Sequence, residues 1–250
     1  MKKRLDEHLV ENELSPTRSQ ARNFIKDGFV KVNGNVQKKP GYQIGSDDTI
    51  WVQSQSRYAS RGGFKLEAAL KEYNIDPTGL NCLDVGASTG GFTDCLLQNG
   101  ADHVTAIDVG TKQLIDSLKN DPRVTSLENT NIKSFGESAG TSQDLSNSFQ
   151  LAVIDVSFIS LTQVLEHVKS LIKPTGQILA LFKPQFEGGP EALNNQGVVR
   201  EQTKREKILR DFLKWCKEQD YQVAKPFESP IIGKKGNHEY FLLISQGIVS

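Results

Sequence analysis

Leu83-Asp84-Val85-Gly86-Ala87-Ser88-Thr89-Gly90-Gly91-Phe92 is the stretch that decides the fold. It continues an apolar run over 82–85 and opens a helical stretch over 92–99, so its glycines stand at a strand-to-helix turn. Without a β-carbon they let the backbone approach a ligand, and the helix N-terminus offers free N–H groups to an anionic end. Asp108 follows the next apolar run, twenty-four residues beyond Asp84, where a carboxylate can accept hydrogen bonds from both hydroxyls of an adenosine ribose. Together they imply an adenosine-bearing cofactor. A dinucleotide fingerprint would need Gly-x-Gly-x-x-Gly, and a phosphate loop would need Gly-Lys-Ser/Thr; this turn reads Gly-x-x-x-Gly-Gly.

Outward from the turn, strand and helix signals alternate. Apolar runs at 82–85, 103–107, 124–127, 151–154 and 177–182 are separated by helical stretches at 92–99, 114–119 and 161–172. An amphipathic helix over 202–219, carrying Ile208, Leu209, Phe212, Leu213 and Trp215, precedes two last strands at 222–224 and 240–244. The pattern predicts an α/β fold: a Rossmann-like, doubly wound, mostly parallel seven-stranded sheet. Residues 136–148 and 187–197 read as loops, the second mobile because of its Gly-Gly-Pro and Asn-Asn. The turn and its alternating frame look like motif one of S-adenosylmethionine-dependent methyltransferases. That likeness implies S-adenosylmethionine held by Asp84, Gly86, Ala87, Ser88, Thr89, Gly90, Gly91, Phe92 and Asp108, with Asp84 near the methionine end and Asp108 on the ribose.

The front of the chain reads differently. Leu5, Leu9 and Val10 give a short helix, and Ser15-Pro16-Thr17 offers a cap and first-turn proline for a second helix running to Asp27, stopped by Gly28. Residues 29–36 then form a hairpin around Asn33-Gly34, and Ile50-Trp51-Val52 a closing strand. Residues 1–53 are therefore one domain, 54–60 a linker and 61–250 the α/β domain. Arg18, Arg22 and Lys26 recur every four residues and stack along one helix face as a basic ridge. Two short helices with a Val-Asn-Gly hairpin resemble the S-four RNA-binding domain, on Arg4-Leu5-Asp6, Ser19-Gln20-Ala21-Arg22, Ile25, Gly28, Val30 and Val32-Asn33-Gly34. The resemblance implies RNA contacts from Arg4, Arg18, Arg22, Lys26 and Lys31, giving salt-sensitive affinity with little sequence choice.

Composition narrows the function classes. The 250 residues carry no net charge, yet residues 1–60 hold ten Lys/Arg against seven Asp/Glu. Neutrality of the whole thus does not argue against an anionic partner. With 37% hydrophobic residues the chain can bury a core, and runs such as 178–182 and 240–244 are far short of the ~20 apolar residues of a bilayer span. No signal-peptide pattern opens the sequence, so a cytoplasmic location is expected. Cys82, Cys95 and Cys216 lack metal-type spacing, and His8, His103, His167 and His238 are dispersed, so no metal is expected.

Four polar residues stand where packing alone would not want them. Asp155 ends the run 151–154, Lys183 follows 177–182, Lys65 leads into a helix before the first strand, and Glu239 begins the last strand. The surrounding motifs, Arg61-Gly62-Gly63-x-Lys65-Leu66, the glycine turn, Asp155-Val156-Ser157-Phe158-Ile159-Ser160, Lys183-Pro184-Gln185-Phe186-Glu187, Gly197-Val198-Val199-Arg200 and Gly236-Asn237-x-Glu239, resemble the TlyA family. That family joins an S-four domain to an FtsJ-like ribose methyltransferase. The resemblance implies 2′-O-methylation of cytidine in ribosomal RNA, with the Lys-Asp-Lys-Glu tetrad falling on Lys65, Asp155, Lys183 and Glu239. The chain departs from it at Gly188-Gly189-Pro190 and at Asn129, which bear on substrate choice more than on chemistry.

The tetrad also has a physical rationale. A ribose hydroxyl is a poor nucleophile at neutral pH and needs a base, or a cation that stabilises the forming alkoxide. Lys183 would fill that role, Asp155 and Glu239 would orient, and Lys65 would position the hydroxyl. Cytosine-5 methylation would want a cysteine after the fourth strand, and amino-directed methylation an Asp/Asn-Pro-Pro-aromatic turn; neither is present. Two other readings stay open: a membrane-active hemolysin, after the label some members of the family carry, and a non-catalytic RNA-binding protein with a vestigial fold. The partner is ribosomal RNA or a ribosomal subunit, with no membrane; the oligomeric state is not legible.

Overall fold

The computed structural model describes residues 2–15, 17–52, 57–135 and 146–246. Part of the expected linker (54–56), most of the expected loop at 136–148, Gln53 and Pro16 lie outside the described residues. The chain divides into two compact units, Met1–Arg61 and Gly62–Ser250.

The first unit consists of β1 (Lys3–Arg4), α1 (Leu5–Glu11), α2 (Arg18–Asp27), β2 (Val30–Val32), β3 (Asn35–Val36), β4 (Gln43–Ile44) and β5 (Ile50–Val52). The apolar spacing seen in the sequence becomes its core: Leu5, Leu9, Ala21, Ile25, Val30, Val32 and Ile44 are buried together. Asn33 and Gly34 both adopt positive φ, 52° and 80°, the conformation a two-residue hairpin turn requires between β2 and β3. β5 pairs with the other side of β2. The pairing of β1 with β4 was not legible, because two-residue strands carry no periodicity.

The second unit opens with α3 (Arg61–Glu72), whose first residue closes the first unit. Its elements are β6 (Asn81–Val85), α4 (Gly91–Gln98), β7 (His103–Ile107), α5 (Asp116–Lys119), β8 (Val124–Leu127), β9 (Phe149–Ile154), α6 (Leu165–Leu171), β10 (Ile172–Phe182), α7 (Pro184–Glu187), α8 (Gln202–Glu218), β11 (Tyr221–Val223), β12 (Phe227–Glu228) and β13 (Tyr240–Gln246). The seven expected strands are ordered β11-β13-β10-β9-β6-β7-β8, and β12 adds a two-residue eighth strand beside β13. β10, β9, β6, β7 and β8 run parallel; β13 is antiparallel to β10.

Alternate residues of the sheet serve opposite faces. Leu83, Val85, Ala152, Ile154, Ala180, Phe182, Leu242 and Ile244 share one core with Leu165 and Val168 of α6 and Phe212 and Cys216 of α8. Phe241 has the opposite parity and stacks on Phe92 of α4, ring centroids 6.1 Å apart, so helices cover both faces. Covering both explains why the strands read as unbroken apolar runs. Each fully buried Leu, Ile or Phe contributes roughly 1.5–3 kcal/mol. β6 has β7 on one side and β9 on the other, so the strand order reverses there and opens a crevice at the carboxyl ends. Among the described residues no helix is long and apolar enough to cross a membrane.

Two local expectations needed correction. The helix expected over 114–119 shrinks to one turn because Glu128 takes the backbone N–H groups of Lys112, Gln113 and Leu114 at 3.0, 2.8 and 3.3 Å. The helix expected over 161–172 is a 3-10 turn, Leu161–Gln163, followed by α6; β10 then begins at Ile172, with a register shift before Gln177. The stretch 187–197 is a loop, as expected, built of turns: Asn194 Oδ1 accepts from the backbone of Gln196 and Val198, and residues Pro190–Ala192 form a 3-10 turn.

Candidate active site

Strand register places all of the site but Lys65, which comes from α3. Val85 pairs with Ile154, so Gly86 and Asp155 leave β6 and β9 side by side. Asp155 N donates to Val85 O at 2.9 Å, and a β-carbon on Gly86, whose φ is +87°, would stand 2.7 Å from the Asp155 carbonyl oxygen. Phe182 pairs with Tyr240, so Lys183 and Glu239 sit at the next step of neighbouring strands.

Two amine–carboxylate pairs result. Lys183 Nζ lies 2.5 Å from Asp155 Oδ1 and donates to Val156 O at 2.8 Å and Ser157 Oγ at 3.1 Å. Lys65 Nζ donates to Glu239 Oε2 at 2.5 Å. Gln185 Nε2 reaches Glu239 Oε1 at 3.3 Å, linking the strand end of Lys183 to the second pair. Lys65, Lys183 and Glu239 are each under a tenth exposed. Charges so buried are tolerated only when paired and hydrogen-bonded. All four side chains expected at the site therefore come from four separate segments to one edge of the sheet.

Sequence reading missed two features here. Phe158 is 92% exposed at φ +64°, its ring 5.0 Å from that of Phe186. Amid Val156, Phe158 and Ile159 nothing marks which residue points outward; only the backbone turn decides it. Glu187, absent from the expected tetrad, accepts from Ser160 Oγ at 2.5 Å and from Leu161 N at 2.8 Å.

The residues expected to hold the cofactor separate into layers. Ala87, Ser88, Asp108, Gln113, Leu114 and Glu128 border one shallow cleft. Asp108 accepts from Ser88 N at 2.8 Å and Gly110 N at 2.7 Å. Thr89, Gly90 and Gly91 make the turn itself; Gly90, at φ +96°, lies so close to Leu114 and Leu118 that a side chain would collide with both. Phe92 faces inward onto Phe241, so it packs α4 against the sheet. Asp84 is sealed: Oδ2 accepts from Thr93 Oγ1 at 2.7 Å and Oδ1 is buried without a hydrogen-bond partner among the described residues. Burial pushes its pKa up to about 7; the nearby charges of Asp155 and Asp108 add to the rise and the Thr93 hydrogen bond opposes it. Glu128 goes the other way, held down at about 2 first by the N–H of Lys112 and then by those of Gln113 and Leu114 and by Lys119.

In the first unit the basic ridge is not a row of free cations. Arg4 Nε, Arg18 Nε and Arg22 Nε lie 2.9, 3.3 and 3.2 Å from the carboxylate of Asp6, which is fully buried. The side chains of Arg18 and Arg22 remain half exposed, Lys26 is exposed, and Lys31 Nζ sits 5.0 Å over the Trp51 ring. Arg4 Nη2 also donates to Asp6 Oδ2 at 2.9 Å and Arg18 Nη2 lies 2.9 Å from Glu7 Oε1, so two carboxylates fix the spacing of the arginines. An acidic residue inside the apolar stripe Leu5, Asp6, Leu9 was the available signal.

Burial alone would push the Asp6 carboxyl up; hydrogen bonds and charge from Arg4 and Arg18 outweigh it and hold the group below the ordinary range. A depressed carboxylate contributes stability that is present above its unfolded value of about 3.9 and is lost as pH falls through the folded value. Asp6→Asn is accordingly expected to speed amide hydrogen exchange in α1 and α2 at neutral pH, and the wild type to approach that behaviour only as acid titrates Asp6. Wild-type exchange in the variant would show that the carboxylate holds nothing in place.

Comparison with known proteins shows the family of each unit. A family model for FtsJ-like methyltransferase matches residues 58–246, and one for the S4 domain, the S-four module, matches residues 3–50. The chain is 38% identical over 241 residues to the 16S/23S rRNA (cytidine-2′-O)-methyltransferase TlyA of Mycobacterium tuberculosis, covering 96% of this chain and 88% of that protein. It is 38% identical over 237 residues to Hemolysin A of Brachyspira hyodysenteriae, covering 95% and 97%. A solved structure from Streptococcus thermophilus whose description carries the hemolysin label superposes with a TM-score of 0.72 at 38% identity, covering 99% of this chain and 91% of that one.

Proposed function

Since this chain belongs to the FtsJ-like methyltransferase family and carries an S4 domain, we propose that it methylates the ribose 2′-hydroxyl of cytidine in ribosomal RNA, using S-adenosylmethionine. The observation that carries the reading is the pair of buried amine–carboxylate contacts, Lys183 with Asp155 and Lys65 with Glu239, beside the Gly86 turn.

The residues present fit the donor. Asp108 keeps a lone pair on each oxygen beyond its two backbone hydrogen bonds, which suits a ribose diol. Burial first, and then the charges of Asp155 and Asp108, raise the cost of ionising Asp84, an environment that a cationic ligand relieves. Gly86 leaves no space for a side chain between the turn and Asp155. When bound, S-adenosylmethionine supplies an electrophilic methyl group on a sulfonium.

The protein's own groups handle the hydroxyl. Ser157 is exposed and makes the longest of the three contacts to Lys183 Nζ, so an incoming 2′-hydroxyl replaces it most easily. Lys183 Nζ then stabilises the oxygen as negative charge develops, or takes its proton when the amine is neutral. Asp155 holds that amine in place, while Glu239 aims Lys65 Nζ as a second positioning donor. Exposed Phe158 offers a π-face on which a base can stack. The S4 unit supplies phosphate contacts whose strength falls with salt. Such an enzyme works on ribosomal subunits or their RNA, in the cytoplasm.

The test is direct. Purified protein, S-adenosylmethionine with labelled methyl, and ribosomal subunits lacking the modification are combined, and methylated riboses are mapped by resistance to alkaline cleavage. One or a few protected cytidines are expected. Label on a base, or none on RNA, would overturn the reading.

A further inference from the structure

We propose that Glu187 is a positioning residue for the reaction, one that fixes the segment 155–160 around the Lys183 amine; this rests on the methyl-transfer reading above. α7 is a single turn beginning directly after Lys183, closed by Phe186 N to Lys183 O at 2.9 Å and Gly188 N to Pro184 O at 3.1 Å. Its last residue, Glu187, holds the far end of the segment that starts at Asp155. One carboxylate oxygen accepts from Ser160 Oγ at 2.5 Å and the other from Leu161 N at 2.8 Å.

The segment is thus clamped twice by the same stretch of chain. Lys183 grips its beginning through Asp155, and Glu187, four residues on, grips its end through Ser160. Between the two clamps lie Val156 O and Ser157 Oγ, the remaining acceptors of Lys183 Nζ, and Phe158 at positive φ. A backbone held in that conformation relaxes unless its surroundings enforce it. Contact between the Phe158 and Phe186 rings adds a third tie, also from α7. Without Glu187 the segment stays anchored at Asp155 and through that ring contact, and the acceptors that aim the amine can drift. Burial pushes the Glu187 pKa up, while Ser160 and Leu161 oppose the rise. Each carboxylate oxygen is spent on one of these two partners, which belong to the segment that carries Ser157.

Bridging, rather than charge, is the function assigned, so glutamine can replace glutamate. Its carbonyl can accept from Leu161 N and its amide can donate to Ser160 Oγ, whose hydroxyl rotates to accept. Three variants, Glu187→Ala, Glu187→Gln and Ser160→Ala, are compared as full-length protein in two readouts. The first is hydrogen–deuterium exchange without RNA. Glu187→Ala should raise exchange over 156–161 and leave β6 and β7 protected, with Ser160→Ala intermediate and Glu187→Gln close to wild type. The second is kinetics on the ribosomal substrate. Glu187→Ala should lower kcat by about a hundred-fold, the scale of a small misplacement of a reacting group, with S-adenosylmethionine affinity unchanged and activity restored in Glu187→Gln.

Unchanged exchange over 156–161 in Glu187→Ala overturns the inference, as does equal loss of kcat in the alanine and glutamine variants. If Glu187→Ala does not fold, Ser160→Ala and Glu187→Gln still decide: wild-type exchange and kcat in Ser160→Ala, or alanine-like loss in Glu187→Gln, overturns it. Variants that show this exchange pattern beside a wild type that methylates no RNA ribose would sink the methyl-transfer reading and leave the clamp standing.

Discussion

Lys183→Ala is expected to lower methyl transfer by about 10²–10⁴-fold, the range of a general acid–base or charge-stabilising group, while S-adenosylmethionine binds with near wild-type affinity. The separation follows from where the residue sits. Lys183 Nζ contacts Asp155, Val156 O and Ser157 Oγ, whereas the cleft around Ser88 and Asp108 is bordered by other side chains. Truncation removes the only amine of the first pair and leaves Asp155, whose side chain is 26% exposed, for water to solvate. Folding should therefore survive, which a thermal melt verifies. Lys183→Arg should not rescue the rate, because a guanidinium stays charged and is planar where the site holds a compact ammonium with three diverging donors. Calorimetry with S-adenosylmethionine and single-turnover methylation are the two measurements. Wild-type turnover in the alanine variant would remove Lys183 from the chemistry.

Gly86→Ala should instead weaken donor binding and transfer together. An alanine at φ +87° costs about 1–2 kcal/mol as a left-handed residue. The larger effect is steric: the added carbon would stand 2.7 Å from Asp155 O and 3.0 Å from its carbonyl carbon, both main-chain atoms that cannot rotate away. Either the glycine turn or the end of β9 must shift, and the donor site and the Lys183–Asp155 pair border that contact. A tenfold loss of affinity corresponds to only about 1.4 kcal/mol, so at least that much is expected. Gly79→Ala is the control: Gly79 has φ +73°, but a β-carbon there would meet nothing within 4 Å, so the substitution carries the backbone cost alone. If Gly86→Ala bound S-adenosylmethionine as tightly as Gly79→Ala, close approach at this turn would not matter.

Legibility in the sequence followed the range of the physics. The Asn33-Gly34 hairpin, the strand at 103–107 and the glycine turn each depend on residues within a few positions of one another, and all were readable. The helix at 114–119 failed because Glu128, ten or more residues away, takes the N–H groups of the chain leading into it. The basic ridge looked uncompensated because Asp6 lies on another helix. The exposure of Phe158 was not legible, since an apolar residue among apolar residues gives no hint that a positive φ turns it outward.

By itself the sequence determined the two-part organisation, the order of strands and helices, and the identity of Lys65, Asp155, Lys183 and Glu239 as polar residues misplaced for packing. Local periodicity and turn chemistry suffice for that. The tertiary structure alone decided which amine faces which carboxylate, that Asp84 is sealed rather than open, and that Glu187 closes the segment beside Lys183. Those outcomes depend on strand register and on contacts between residues up to 174 positions apart, which no short window of sequence contains.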